Sequence, residues 1–378
     1  VTDFDVAVIG LGIMGSAIVN ELAARGQLVI GIDRHEIPHA AGSSHGGSRV
    51  IREAYFEHPM YVPLVRRAFE RWRELERESP GEPLMAVTGS LMIGEASSEV
   101  VRGTLRSAVE YGITHEVLES DTLHRRFPAF TPLEEMVGVY EPGSGILFPE
   151  PILRALLSLA AGRGATLMPN VTAMGLGSGD AGITVTTDAE PIRAGQVVLC
   201  AGAWLPVLMP SLDLRVERQV MHWFESDRYD GRVTPDRMPV SLWQLRDGSM
   251  FYTVPDFGAG VKVGWHHGGR LTTADTVDRQ VANEEWAVVA DLLRRFAPSA
   301  KGPRGASSVC LYTNTSDGHF LLDVSPEDPR IHIVSACSGH GFKFAPAIAE
   351  LVADAVGGVP PALDLSPFRL ARLQQASA

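Results

Sequence analysis

The chain opens on an apolar run of strand length, Asp5-Val6-Ala7-Val8-Ile9, which ends in Gly10-Leu11-Gly12-Ile13-Met14-Gly15. Met14, Ile18 and Leu22 then recur at four-residue steps beside Ala17, a pattern that predicts a helix with one apolar face. Gly26 is placed to end that helix in the left-handed conformation. A second strand, Leu28-Val29-Ile30-Gly31-Ile32, runs into Asp33. Further along, the pattern predicts helices over 59–79, with Leu64, Ala68, Trp72 and Leu75 on one face, and over 101–111, 120–127 and 150–162. A strand is expected over 88–94. The segments 165–168 with Val171, 197–200 with Ala201-Gly202, and 331–336 read as later strands of the first sheet. From about 216 to 312 apolar and polar residues alternate, as in Met250-Phe251-Tyr252-Thr253-Val254, which predicts a half-exposed antiparallel sheet. Gly339-His340-Gly341-Phe342-Lys343 then leads to a last helix over 346–356 that stops at Gly357-Gly358. There is no internal repeat and no low-complexity tract.

The opening unit has a physical task for each part. Gly10 permits a tight turn, Gly12 lets the backbone approach a pyrophosphate, and Gly15 lets helix and strand pack closely. The helix N-terminus offers unpaired N–H groups to phosphate, and Asp33 is placed to hold the hydroxyls of an unphosphorylated ribose. Strand, glycines, helix, strand and acid in register carry far more information than the glycines alone. After Asp33, however, no third βα unit follows directly. A NAD dehydrogenase would complete its parallel sheet sooner, so the interruption points to a flavin whose ring reaches a second domain. The expected architecture is α/β plus α+β: a split Rossmann-like FAD-binding domain with an inserted antiparallel-sheet substrate domain. The expected boundaries are 1–85, 140–215 and 320–378 for the first, and 86–139 with 216–319 for the second.

Composition narrows the field of partners. With 378 residues, 45% hydrophobic and 21% charged, the chain can bury a large core, which excludes disordered and disulfide-scaffold classes. A formal charge of −12 leaves no broad basic face for nucleic acid or an anionic membrane. Three cysteines without a CxxC pair fit a reducing compartment, and the N-terminus lacks the basic start of a signal peptide. The uncharged run 194–212 contains Gly202, Pro206 and Pro210, so it reads as a strand and turn rather than a membrane span. The expectation is a cytoplasmic protein that binds small molecules.

The chain resembles the monomeric sarcosine oxidase and N-methyltryptophan oxidase family of FAD-dependent amine oxidases. The resemblance rests on Ser44-His45-Gly46-Gly47-Ser48-Arg49-Val50-Ile51-Arg52, Tyr61-Val62-Pro63-Leu64 and Glu141-Pro142-Gly143-Ser144-Gly145. It continues in Val261-Lys262-Val263-Gly264 with His266, Cys310-Leu311-Tyr312-Thr313 and Ser338-Gly339-His340-Gly341-Phe342-Lys343-Phe344. These blocks stand in family order from end to end. They imply FAD-dependent oxidation of a secondary amino acid, N-methyl or cyclic, to an imine. Water splits the imine to an aldehyde or keto acid plus an amine, and oxygen becomes hydrogen peroxide. The alternatives are a dehydrogenase that uses another electron acceptor and a non-catalytic flavin-binding module. A monomer is implied, with an amino acid and oxygen as the only partners.

The resemblance also assigns residues. Read bare, Cys310 is a small buried hydrophobe; by resemblance it carries the flavin through a thioether, while Cys200 and Cys337 sit inside apolar strands. Ser43, Ser44, Ser48, Val171, Gly202, Gly339, Gly341 and Phe342 fall on the implied cofactor path beside Gly10, Gly12, Gly15 and Asp33. His45 and Arg49 lie in a loop that should flank the flavin ring, where a cation favours its anionic reduced form. Arg52 and Lys343 are implied to hold the substrate carboxylate. Gly47 and Glu53 depart from the family, which often has a carboxylate at the first and a histidine near the second.

Lys262 stands mid-strand among apolar residues, either on an exposed sheet face or, as the family implies, beside the flavin to activate oxygen. His266 and Tyr252 either line the substrate side or are satisfied sheet residues. Trp243 is placed to wall the side-chain pocket. The GxSxG match at Gly42–Gly46 lacks the strand–turn–helix setting of a hydrolase. No metal is expected: there is no HExxH, and His266 and His267 would point apart on a strand.

Overall fold

The computed structural model describes residues 3–226 and 231–375. The outermost residues of the expected first domain, 1–2 and 376–378, lie outside it, as do 227–230 of the alternating stretch. Strand β1 (Phe4–Ile9) is fully buried from Val6 onward, the unbroken apolar run of a parallel strand covered on both faces. It lies between β2 (Val29–Ile32) and the strand Ile192–Leu199, parallel to both. Thr166–Met168 extends the sheet beyond β2, and Ile331–Ser335 pairs with the end of Ile192–Leu199. Helix α1 (Ile13–Ala24) is buried almost all round, with the helices Pro149–Gly162 and Ala345–Val356 in the same core cluster. A hairpin, Ala173–Gly179 with Gly182–Thr187, adds antiparallel strands at the start of Ile192–Leu199. Sequence reading missed it because its first strand is glycine-rich and only Ile183 and Val185 mark the buried face.

The second sheet runs, in order, Leu271–Thr272, Arg215–Phe224, Val261–His266, Met250–Val254, Val240–Gln244, Ser90–Glu95, Met136–Glu141 and Glu116–Glu119. Arg304–Asn314 pairs along the other edge of Arg215–Phe224. The sheet is not wholly antiparallel: Val240–Gln244 and Ser90–Glu95 are parallel. Nor is it half-exposed. Phe224, Phe251, Val261 and Val263 pack on Trp286, Val289, Leu293 and Phe296 of the helix Asn283–Phe296. The opposite face, with Met221, Leu242, Tyr252, Lys262 and Cys310, lines an internal cavity. Alternation was correctly read, but what looked like the solvent side is the wall of a site.

Strand parity also moves Trp243. Leu242 faces the cavity, so Trp243 faces the helix, with no exposed surface and its ring stacked 5.6 Å from Phe251. Its Nε1 donates to Ser241 Oγ at 2.8 Å. It is a core residue and does not wall the substrate pocket. Trp243→Ala should therefore cost about 3–5 kcal/mol in urea unfolding, as large-to-small core changes do. A loss below about 1 kcal/mol would contradict that placement.

The run 194–212 contains, as expected, the end of a strand and a turn at Gly202–Trp204; the short helix Leu205–Leu208 that follows was not expected. Among the described residues no helix is long and apolar enough to cross a membrane.

Candidate active site

A cavity of about 510 Å³ runs from the N-terminus of α1 to the second sheet. At its first end Gly10 has φ +93°, and a side chain on Gly15 would stand 1.7 Å from the Gly10 carbonyl oxygen. The first turn of α1 carries no acidic residue of its own to oppose an anion at its amides. Ser44 Oγ accepts from Ile13 N at 3.0 Å, which ties the 42–52 loop to this turn. Asp33 accepts from the backbone N–H of Leu11 at 2.7 Å and of His35 at 2.9 Å, and still borders the cavity. Gly12, Val171, Gly202, Gly339, Gly341 and Phe342 border it too. Ser335 Oγ, also on the wall, is buried with no hydrogen-bond partner.

These features fit FAD. The first turn of α1 would take the pyrophosphate and Asp33 the ribose, while the ring end would meet Arg49, Lys262 and Cys310.

Around that ring end the loop folds back on itself. Arg49 donates to the Ser43 and Ser48 carbonyls at 2.6 and 2.8 Å, with Cys310 Sγ 3.6 Å from its Nη2. Ser43 Oγ donates to the Leu311 carbonyl at 2.5 Å, so loop and strand are joined beside the thiol. Lys262 Nζ is encircled by the Gly46 carbonyl, the Ser48 carbonyl and Ser48 Oγ at 2.9, 2.9 and 3.1 Å. Burial, then the charge of Arg49, pushes its pKa well below the usual lysine value, but the three oxygen acceptors around Nζ act against that shift and favour the ammonium. Gly47 lacks the carboxylate that the resemblance leads one to expect; Glu150 instead accepts from Gly46 N at 2.6 Å and Gly47 N at 3.2 Å. Glu53 pairs with Arg66 at 2.9 Å, away from any catalytic geometry.

His45 does not join this group. Its ring meets the Gly42 carbonyl at 3.1 Å and Ser308 Oγ at 3.4 Å, off the cavity wall. Burial, with Arg49 and Lys262 nearby, lowers its pKa to about 3 and keeps it neutral. It is a loop anchor.

Cys200 and Cys337 lie just past strand ends on the cavity wall, not inside the strands. His266 lines the cavity with Nδ1 3.4 Å from Tyr312 Oη, and burial pushes its pKa well below the usual value. The expectation that His266 and His267 point apart was wrong. The strand ends at His266, His267 takes φ +67°, and the two rings lie 4.4 Å apart. Among the described residues no cluster of three or more His, Cys, Asp or Glu is placed to hold a metal ion.

At the far end Arg52 and Lys343 share the cavity wall. Arg52 donates to Glu57 at 2.7 and 3.0 Å and to the Ala54 carbonyl at 2.8 Å, with the Tyr55 ring 4.3 Å from its guanidinium carbon. Burial alone would raise the Glu57 pKa, but Arg52 holds it well below the usual carboxylate range. Lys343 Nζ donates to the His340 carbonyl at 2.7 Å and Tyr55 Oη at 3.2 Å. Trp72 Nε1, from the helix Tyr61–Glu78, fixes the Lys343 carbonyl at 2.7 Å. Sequence reasoning missed Tyr55, Glu57, His340 and Tyr312 as site residues. Glu57 had one signal: an acid five residues beyond Arg52 in a loop with no periodicity.

The molecule thus joins a dinucleotide-binding half and a substrate half, each built on a large sheet, around one cavity, with a third, three-stranded sheet of Arg49–Ile51, Gly145–Leu147 and Met85–Val87 beside them. A family model described as FAD dependent oxidoreductase matches residues 5–355, and the chain belongs to that family. It is 38% identical to a monomeric sarcosine oxidase of Streptomyces avermitilis, over 93% of each chain. It is 34% identical to an N-methyl-L-tryptophan oxidase of Yersinia pestis, over 98% of this chain and all of the other. The fold is similar to that of NikD, described as an unusual amino acid oxidase essential for nikkomycin biosynthesis. That match has a TM-score of 0.84 at 23% identity, over 98% of this chain and 98% of the other.

Proposed function

We propose that this chain oxidises a secondary amino acid, N-methyl or cyclic, to an imine, with oxygen reduced to hydrogen peroxide. The observation that carries this reading is the pair Arg52 and Lys343 on the wall of the same cavity as Lys262 and Cys310. Such a pair suits the carboxylate of an amino acid and places its amine towards the ring end. The named activities of the Streptomyces and Yersinia relatives support the reading. FAD, when bound, would supply the two-electron acceptor chemistry that links substrate oxidation to oxygen reduction.

The residues divide the remaining work. Arg52 and Lys343 orient the substrate, and the apolar wall of Phe56, Met92, Val240 and Leu242 receives its substituent. Tyr252 and His266 border the reacting end, and the burial that raises the pKa of Tyr252 keeps its phenol protonated. Lys262 holds positive charge for the oxygen half-reaction, and Arg49 does the same for the reduced cofactor. The word monomeric in the first relative's name supports a monomer, and three cysteines without a disulfide among them support a reducing, cytoplasmic setting.

The test is anaerobic mixing of the yellow protein with N-methyl and cyclic amino acids, followed by air and a peroxide assay. Bleaching with peroxide release is expected. Bleaching without peroxide would replace the oxidase with a dehydrogenase, and no bleaching by any of them would remove the reading.

Attachment of FAD through Cys310 belongs to the same proposal. Its Sγ borders the cavity between Arg49 and the Ser43 carbonyl. Acid precipitation should leave the colour in the protein pellet, and Cys310→Ser should move it to the supernatant. Free flavin from the unmutated protein would overturn the attachment and leave the oxidase reading standing.

A further inference from the structure

Hydrogen-bond inventory around Lys343 leaves one direction open. Its Nζ contacts two acceptors, the His340 carbonyl at 2.7 Å and Tyr55 Oη at 3.2 Å. Tyr55 cannot turn its own proton on the amine, because its Oη also meets His340 Nδ1 at 2.8 Å. His340 Nε2 lies 3.1 Å from the Gly318 carbonyl, which only accepts, so Nε2 carries the hydrogen and Nδ1 accepts from Tyr55. Both neighbours therefore receive N–H bonds from Lys343. A neutral amine has two N–H groups, and both are spent in this way. What remains is the lone pair, on a side chain that borders the cavity.

The surrounding charges favour that neutral form. The loop after the strand Arg49–Ile51 supplies Arg52 and Glu57, which neutralise each other at 2.7 Å. Arg49 adds a positive charge whose hydrogen bonds go to carbonyls and sulfur. From the second sheet comes His266, kept neutral by burial, and from its own turn His340, likewise lowered to about 3. Tyr55 stays protonated because burial raises its pKa. Burial and then the charge of Arg52, partly countered by Glu57, bring Lys343 down to about 7. Among the described residues no carboxylate lies within ion-pair distance of its Nζ.

An amino acid arrives as a zwitterion, and its nitrogen must lose a proton before its lone pair can assist oxidation. We propose that Lys343 accepts this proton, with Tyr55 and His340 as the positioning residues that aim its lone pair. The proposal deepens the amino-acid oxidase reading and rests on it. One ammonium N–H bond breaks, its electron pair stays on the substrate nitrogen, and one N–H bond forms on Nζ. Charge balances: a neutral zwitterion and a neutral lysine become an anionic substrate and a lysine cation. The new cation then faces the carboxylate, which is adjacent to the amine in any α-amino acid. Proton transfer and carboxylate binding thus reinforce each other, and no proton need leave for solvent.

Two measurements test this on the holoenzyme. The first is proton uptake when methoxyacetate binds, since its ether oxygen replaces the amine of N-methylglycine and brings no proton. At pH 8 the unmutated protein should take up close to one proton per site, and Lys343→Met none. Tyr55→Phe should move the midpoint of uptake to lower pH, because the lysine cation loses an acceptor; a uniform loss of affinity at every pH would make Tyr55 merely structural. No uptake by the unmutated protein between pH 6 and 9 would overturn the proposal.

The second is the pH profile of anaerobic flavin reduction by N-methylglycine. The unmutated protein should reach its plateau just above pH 7. Lys343→Met should instead gain roughly tenfold per pH unit up to about 10, where an aliphatic ammonium loses its proton unaided. A profile of unchanged shape, scaled down, would also overturn the role. If no amino acid reduces the flavin at any pH, the functional reading fails, and proton uptake still decides the state of Lys343.

Discussion

In Lys262→Met protein, reoxidation by oxygen is expected to slow roughly 10²–10³-fold, the usual cost of removing one preorganised donor aimed at developing negative charge. Anaerobic reduction by substrate should change far less. The first one-electron product of oxygen is an anion, so a cation held nearby lowers the barrier to its formation. Three oxygen atoms around Nζ match the three N–H donors of an ammonium, which holds the charge in one place despite burial. The same contacts give the substitution a side effect: the Gly46 and Ser48 carbonyls lose a donor, at about 1–3 kcal/mol of stability if left dry. Stopped-flow measurement of both half-reactions separates the two effects. Equal slowing of reduction and reoxidation would mean that Lys262 only braces the 42–52 loop.

How much of this was legible depended on whether a residue's role followed from a local period. The β1–α1–β2 unit was readable because strand, glycines and Asp33 are contiguous and each glycine answers one steric demand. Lys262 was readable as an oddity, a charge between two buried valines, although its surroundings were not. Trp243 failed for the opposite reason. Period two determines which residues share a face, but not which face meets the helix Asn283–Phe296 and which meets the cavity. The His266-His267 pair failed because a single left-handed residue ends the strand rule where it was being applied.

Glu57 is the deeper omission. Its partner is only five residues away, but the pairing arises from loop shape, with the backbone N–H groups of Glu53 and Ala54 held by Glu141 from the second sheet. Loops carry no periodicity, so contacts of this kind are invisible until the chain is folded. The consequence is functional: the guanidinium that resemblance reserves for substrate already holds an internal carboxylate.

That pairing shapes the last expected result. Arg52→Ala should weaken binding of an amino acid about 10–150-fold, the range of a charge-assisted hydrogen bond worth roughly 1.5–3 kcal/mol. Two effects bear on where in that range it falls. Substrate exchanges one carboxylate for another on Arg52, so the net gain from the cation is less than a full new ion pair. Removing Arg52, however, also leaves Glu57 as an unpaired acid beside the incoming carboxylate, which adds repulsion. The second effect wins if Glu57 stays ionised, and it places the loss in the upper part of the range. Arg52→Lys should also bind less well, since a point charge cannot reproduce the two bonds that the fork makes at 2.7 and 3.0 Å. Combining Arg52→Ala with Glu57→Gln should recover part of the loss, because the repulsive charge is gone. The comparison that decides is between an amino acid and its neutral amide. The amide has no carboxylate to lose, so the Arg52→Ala penalty should shrink to a few-fold. If acid and amide lose affinity equally, Arg52 serves only to hold Glu57 and the Tyr55 ring, and the carboxylate must be met elsewhere.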